Sequence, residues 1–443
     1  MNDHLAGLSP QEKRALLVQM LRRKFEGLDN RLLEHVAVNV EDLAAEATLD
    51  PEIQPTNLPT GRVQTGATPR TERILLTGAT GFLGSFLLSE LLRHTRTDVY
   101  CLVRAPDAEE GGERLREALE AYELWDEELS SRIFAVVGDL SEPLLGLGSE
   151  RFDELAAEVD AVYHSGALVN WVYPYNALKP TNVLGTAEVL RLAARAGAKP
   201  VHFVSTLGIF PLVGRSGVES VGEDDDLNHG GSLYNGYTQS KWVAEKLMEI
   251  ARSRGLPVCV YRPSLITGDS RTGIWNADDF TCKMIESWIG LGTAPEVDTE
   301  MNMVPVDYVS RAIVHLSLRE ESLGKRFHLA NARPIKVDDL AAWIEAFGYS
   351  LERVPYDRWR SNLLNPAKGL RQDALYSLAP LLSMSAAADW PTLVGTVPEF
   401  DCRNTTEALS GTGISCPPVD EVVMDDYLVN LVQRGFLEPP TGG

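Results

Sequence analysis

From residue 72 onward, short apolar runs alternate with longer stretches whose apolar residues recur at helical spacing. RILLTG, DVYCLVR, RIFAVVGDL, DAVYHSG, PVHFVSTLG and PVCVYRPS each begin apolar and end on small or polar residues, as buried parallel strands do. Between them, SFLLSELLRH, NVLGTAEVLRLAARAG and SKWVAEKLMEIARSRG gather their apolar side chains on one helical face. This alternation predicts an α/β fold of Rossmann type, a doubly wound parallel sheet with helices on both faces. Ligands on such sheets sit beyond the C-terminal strand ends, so the residues that close each run are the first candidates for chemistry.

The alternation stops near residue 265. Residues 71–265 therefore form the expected nucleotide-binding domain, and the stretch MNMVPVDYVSRAIVHLS returns a helix to it within 301–330. Residues 266–300 and 331–443 mix helix and loop and are expected to build a smaller, mostly helical substrate lobe. At the front, Ser9-Pro10-Gln11-Glu12 has the serine cap, first-turn proline and glutamate of a capping box. Leu16, Leu17, Met20, Leu21 and Phe25 come next at helical spacing, and VEDLAAEATLDPEI predicts a second helix that ends at Pro51. Residues 51–70, rich in Pro, Thr and Gly, read as a linker, which makes 1–70 an N-terminal helical segment with its tether.

Composition narrows the function. The net charge is −22, and no basic run is longer than Arg22–Arg23–Lys24, which disfavours nucleic acid and anionic membrane surfaces as partners. The apolar runs fall well short of the roughly 18–20 residues that cross a bilayer, and the first residues contain no signal-peptide core. Cys101, Cys259, Cys282, Cys402 and Cys416 are odd in number and lack metal-ligand spacing. A cytoplasmic protein without a structural metal is the expectation.

The first chemical motif is Thr77-Gly78-Ala79-Thr80-Gly81-Phe82-Leu83-Gly84, a GxxGxxG turn between a strand and a helix. Its early glycines let the backbone turn beneath a pyrophosphate, and the helix N-terminus presents free N–H groups to that charge. The last glycine allows helix and strand to pack closely. NAD enzymes usually place an acidic residue about 20 positions further on, to hold the ribose 2′-hydroxyl. Arg104 stands there instead, with Arg114 as a second clamp in the next helix, and the pair points to the 2′-phosphate of NADPH. Asp139 and Leu140 close the third strand, where Asp139 would accept from the adenine amino group or else cap a helix. Ser165, Gly166 and Ala167 close the fourth, small enough for the nicotinamide ribose to approach; His164 beside them reads as a packed strand residue.

Tyr237-Thr238-Gln239-Ser240-Lys241 opens a helix with tyrosine and lysine one turn apart on one face. A lysine cation so placed stabilises tyrosinate and lowers the tyrosine pKa, and it can also hold the nicotinamide ribose. YxxxK is a weak motif alone. Here Thr206, 31 residues earlier, ends the fifth strand with a hydroxyl able to hydrogen-bond a carbonyl oxygen while Tyr237 protonates it.

TGATGFLG, Arg104, GDL, HSGA, Ser205-Thr206, YTQSK and RPSLITG resemble the extended short-chain dehydrogenase/reductases over residues 72 to about 330. DLAAEATLDPEI, CLVRA followed by ERL, and RPSLITGDSRTG are similar to the terminal thioester reductase domains of nonribosomal peptide and polyketide synthases. That resemblance implies NADPH-dependent release of an acyl or peptidyl group from the phosphopantetheine of a carrier protein, as an aldehyde or, after a second hydride, a primary alcohol. It adds Pro263, Ser264 and Leu265 to the cofactor site and assigns the C-terminal lobe to the phosphopantetheine arm, with Arg271, Asn276 and Asp279 in the stretch facing it. Other extended reductases (acting on fatty acyl-CoA, hydroxysteroids or nucleotide sugars) share the same nucleotide machinery. A non-catalytic dinucleotide sensor is the alternative from another class.

Overall fold

The computed structural model describes residues 38–55, 71–171, 173–210, 220–228, 231–363 and 399–440. Its centre is a seven-stranded parallel sheet: β1 Arg73–Thr77, β2 Asp98–Val103, β3 Ile133–Val137, β4 Ala161–His164, β5 Val201–Val204, β6 Val258–Pro263 and β7 Arg326–Leu329. The spatial order is β7-β6-β5-β4-β1-β2-β3. The chain winds outward in both directions from β1, so the crevice between β1 and β4 is the topological switch point where such sheets bind ligand.

Side-chain alternation along each strand decides the two faces. Ile74 and Leu76 of β1 pack with α1 (Phe82–His94), α2 (Ala108–Ala121) and α7 (Val306–Ser317). Leu75 packs on the other side with α3 (Ser149–Glu158), α4 (Gly185–Ala194) and α5 (Gly236–Ser253). α5 buries Trp242, Val243, Leu247 and Met248, each contributing about 1.5–3 kcal/mol of hydrophobic stabilisation. A third core, centred on Trp275, Trp288, Leu340, Trp359 and Leu428, unites α6 (Phe280–Leu291), α8 (Val337–Ala346) and α9 (Glu421–Gln433) in a lobe over the strand ends.

Several expectations change. The predicted helix over residues 9–25 lies outside the described residues. The second front helix spans only Val40–Ala44, and the residues after it form a turn. The stretch read as the start of a linker is docked: Ile53 is fully buried, and Arg254 of the α5 C-cap donates to the carbonyls of Leu49, Asp50 and Ile53. The mostly helical lobe also carries two short strand pairs, Thr293–Glu296 with Glu352–Pro355 and Glu300–Met301 with Ile335–Lys336. Not all of 331–443 belongs to it. Glu399–Phe400 pairs in parallel with Ser220–Val221, and the helix Arg403–Leu409 packs on β7 and α7. A buried carboxylate explains that docking, since Glu223 accepts from the N–H groups of Asn404 and Thr405 and from the Thr405 hydroxyl. Among the described residues, no helix is long and apolar enough to cross a membrane.

Candidate active site

The glycine turn sits at the switch point. Gly78 has φ +77°, and a Cβ there would lie 2.7 Å from the Gly166 backbone. A Cβ on Gly84 would lie 1.9 Å from the Gly78 carbonyl oxygen, and one on Gly166 would meet Leu140 Cδ1 at 2.6 Å. The turn, the end of β4 and Leu140 thus nest where only hydrogen fits, which keeps the backbone surface low and open. Thr80 and Gly81 are exposed at the start of α1, Phe82 and Leu83 half-buried just inside it, and Ser85 ties the turn down by donating to the carbonyls of Ala79 and Gly81. This cradle fits a dinucleotide pyrophosphate.

Arg104 and Arg114 meet at the end of β2: the Arg114 guanidinium donates to the Arg104 carbonyl, and both residues are exposed. Asp139 is engaged locally, one carboxylate oxygen accepting from both the N–H and the hydroxyl of Ser141 at 2.8 Å. Ser165 and Ala167 flank Gly166 and are half-buried. Pro263 ends β6; Ser264 donates from its hydroxyl to the Asn302 carbonyl, and Leu265 begins a short parallel pairing with Met303.

α5 carries the tyrosine–lysine pair. Asn235 caps it, accepting from Thr238 N at 2.8 Å. Tyr237 stands half-buried in the first turn, its ring 5.7 Å from Trp171, which in turn lies 5.7 Å from Phe280 of the lobe helix α6. Burial pushes the Tyr237 phenol up to about 12. Lys241, one turn on, is buried with its Nζ 4.0 Å above the Phe203 ring and donating to the Val204 carbonyl at 2.7 Å. Burial pulls its ammonium down to about 7, against the opposing charge of Glu245. Thr206 Oγ1 accepts from Gly208 N, so its own proton is left to donate, whereas the neighbouring Ser205 hydroxyl is sealed in the interior. Arg271 pairs with Asp269 and Asp307, and Asp279 caps α6, so these two lobe residues serve local structure.

Two buried networks around α5 were not among the sequence candidates. On one side Gly166 N donates to Thr77 Oγ1, which meets His164 Nδ1 at 2.8 Å; His164 Nε2 meets Thr186 Oγ1 at 2.9 Å, and Thr186 donates to the Asn182 carbonyl. Because Thr186 commits its proton to Asn182, His164 must carry its hydrogen on Nε2 and accept at Nδ1. Asn182, within the π-helical turn Pro180–Leu184, clamps Leu168 through both N–H and C=O and reaches Ser240 at 2.9 Å. On the other side Arg262 donates to Glu245 Oε1 from Nε (2.9 Å) and Nη2 (2.5 Å), and from Nη1 to the Glu223 carbonyl and His328 Nε2. Arginine only donates, so His328 has the opposite tautomer, with Nδ1–H on the Asp401 carbonyl at 3.0 Å. Burial holds both imidazoles neutral, down to about 3. The signal for the second network lay in the sequence, as a glutamate four residues after Lys241 and an arginine inside an apolar strand.

The model of the male sterility protein family, an NAD-binding domain, matches residues 76–313. The solved terminal R domain of the myxalamid PKS-NRPS biosynthetic pathway is 47% identical with a TM-score of 0.82, the alignment covering 90% of this chain and 99% of that one. The chain belongs to the terminal reductase domains. Among curated proteins the reductase domain is similar to a linear gramicidin synthase polypeptide of Brevibacillus parabrevis, 45% identical over 405 residues, and to isonitrile lipopeptide synthase of Streptomyces coeruleorubidus, 37% identical over 406. Each alignment takes in 90% of this chain, which spans only 8% and 27% of the length of those two relatives. The reductase domain is an oxidoreductase that uses a nicotinamide dinucleotide. Among the described residues no cluster of His, Cys, Asp or Glu could hold a metal ion.

Proposed function

We propose that the reductase domain releases an acyl or peptidyl chain from the phosphopantetheine of a carrier protein, reducing its thioester with NADPH. What supports the reading is a glycine turn at the switch point, a Thr206 hydroxyl free to donate after β5, and a Tyr237–Lys241 helix anchored to the end of β5 at the Val204 carbonyl, in a chain matching a terminal R domain along nearly its whole length. Bound in the cradle, the cofactor would supply hydride to the thioester carbonyl carbon. Gly78, Thr80, Gly81, Phe82, Leu83 and Gly84 would hold the pyrophosphate, and Asp139, Leu140, Ser165, Gly166, Ala167, Pro263, Ser264 and Leu265 would line the adenine and nicotinamide ends. Arg104 and Arg114 would select the 2′-phosphate.

Thr206 donates to the carbonyl oxygen and fixes its position. Tyr237 delivers the proton to that oxygen as charge develops, and Lys241, charged one turn below, offsets the weak acidity that burial imposes on the phenol. The resulting thiohemiacetal collapses, expelling the pantetheine thiol and leaving an aldehyde; a second cycle on the aldehyde gives a primary alcohol. Trp171, between Tyr237 and Phe280 of the lobe, would border the reacting carbon and help to exclude water from it.

The test is kcat/KM for one acyl group presented on a carrier, on coenzyme A and as a short thioester, with NADPH and with NADH. Carrier preference with aldehyde or alcohol product supports the reading. Equal rates on all three remove carrier recognition, and turnover only of nucleotide sugars or steroids overturns the assignment.

A further inference from the structure

Lys241 lies in a site hostile to its charge. Around it stand the Phe203 ring and Val204 carbonyl of β5, neutral His164 of β4, and Tyr237 on its own helix. Glu245 stands one helical turn further along α5, on the same face as Lys241 and with no solvent exposure. Glu245 is paired unevenly. Both Arg262 contacts fall on Oε1, while Oε2 is buried without a hydrogen-bond partner among the described residues. Arg262 is itself shared among Glu245, the Glu223 carbonyl and His328. A buried carboxylate with one oxygen uncompensated is costly and projects its charge through the low-dielectric interior.

We propose that Glu245 is a positioning residue for the reaction: its buried carboxylate keeps the Lys241 ammonium charged inside the apolar site, and Arg262 sets how much of that negative charge the lysine feels. The inference rests on Lys241 acting with Tyr237 as proposed above. A lysine in such surroundings loses its proton near neutral pH. The consequence is a falling limb of kcat as pH rises, at a position that reports the Glu245 charge rather than the fold of the helix.

The experiment is the pH profile of kcat for carrier-bound thioester with saturating NADPH, for wild type, Glu245→Gln, and Glu245→Gln combined with Arg262→Met. Removing the carboxylate alone should move the falling limb to lower pH by about one unit or more, roughly a tenfold loss above the limb that is regained on acidification. The double variant loses a whole buried pair, a change that proteins tolerate well, and its limb should lie between the other two. Should the single variant not fold, the displacement of the double variant from wild type decides the matter. A limb that stays at the wild-type position, with kcat lowered equally at every pH, overturns the inference. Absence of thioester reduction by the wild type at any pH would instead break the functional reading beneath it.

Discussion

The two polar networks that grip α5 differ in kind. The one through Thr77, His164, Thr186 and Asn182 is uncharged, each of these groups having its partner. The one through Glu245, Arg262, His328 and Glu223 is ionic and leaves Glu245 Oε2 unmatched among the described residues. A satisfied neutral network costs little and fixes geometry, while an ionic one with an unmatched oxygen costs stability and creates a field. The first holds the loop after β4 against the helix; the second ties that helix to β6, β7 and the distant Arg403–Leu409 segment.

The contrast breaks most visibly at Arg262. Arg262→Met strands a buried carboxylate and should lower unfolding free energy by about 3–5 kcal/mol in urea titrations. Tyr237→Phe, lying between the networks and belonging to neither, should cut turnover by roughly two orders of magnitude or more at unchanged thermal stability. Near-normal reduction by that variant would remove the phenol from the mechanism. Arg104→Ala, outside both networks, should weaken NADPH by roughly 10- to 100-fold in fluorescence titration and NADH much less. Equal losses for both would mean that Arg104 acts by packing. Asn182→Ala takes a donor from Ser240 and both clamps from Leu168, and should cost about 1–2 kcal/mol, with KM for NADPH rising more than kcat falls.

The most gradual effect is the pH response of the neutral side. His164 is held at about 3 when folded, against 6.5 unfolded, so between those values the unfolded chain binds more protons. Stability is full above 6.5 and is lost as pH falls toward 3, at up to about 1.4 kcal/mol per unit for this group. His164→Gln should flatten the decline of Tm between pH 6 and 4, and an unchanged slope would place the proton uptake elsewhere.

Much of this architecture is readable from pattern. Six strands announce themselves by apolar runs that end at glycine, serine or arginine, and the Tyr237 helix by its spacing. β7 does not, because RFHL buries an arginine and a histidine whose partners lie far off in sequence. The docking of 399–409 escapes for the same reason, since it depends on Glu223, some 180 residues away. That Arg104 and Arg114 lie side by side was legible because strand and adjoining helix bring them together locally, whereas Asn182 takes its place from a π-helical turn that no periodicity marks.

Phe82 gives the cofactor cradle a thermodynamic reach beyond its own domain. It sits inside the glycine turn, meets Phe86 and Tyr122 at 5.4 and 5.1 Å, and packs against both the second sheet core and the core of the lobe. An aromatic ring shared by two cores couples their unfolding, and calorimetry is expected to record a single endotherm rather than two. Dinucleotide held at this turn should then raise the melting temperature of lobe and sheet together, the gain growing with the logarithm of free ligand concentration over Kd.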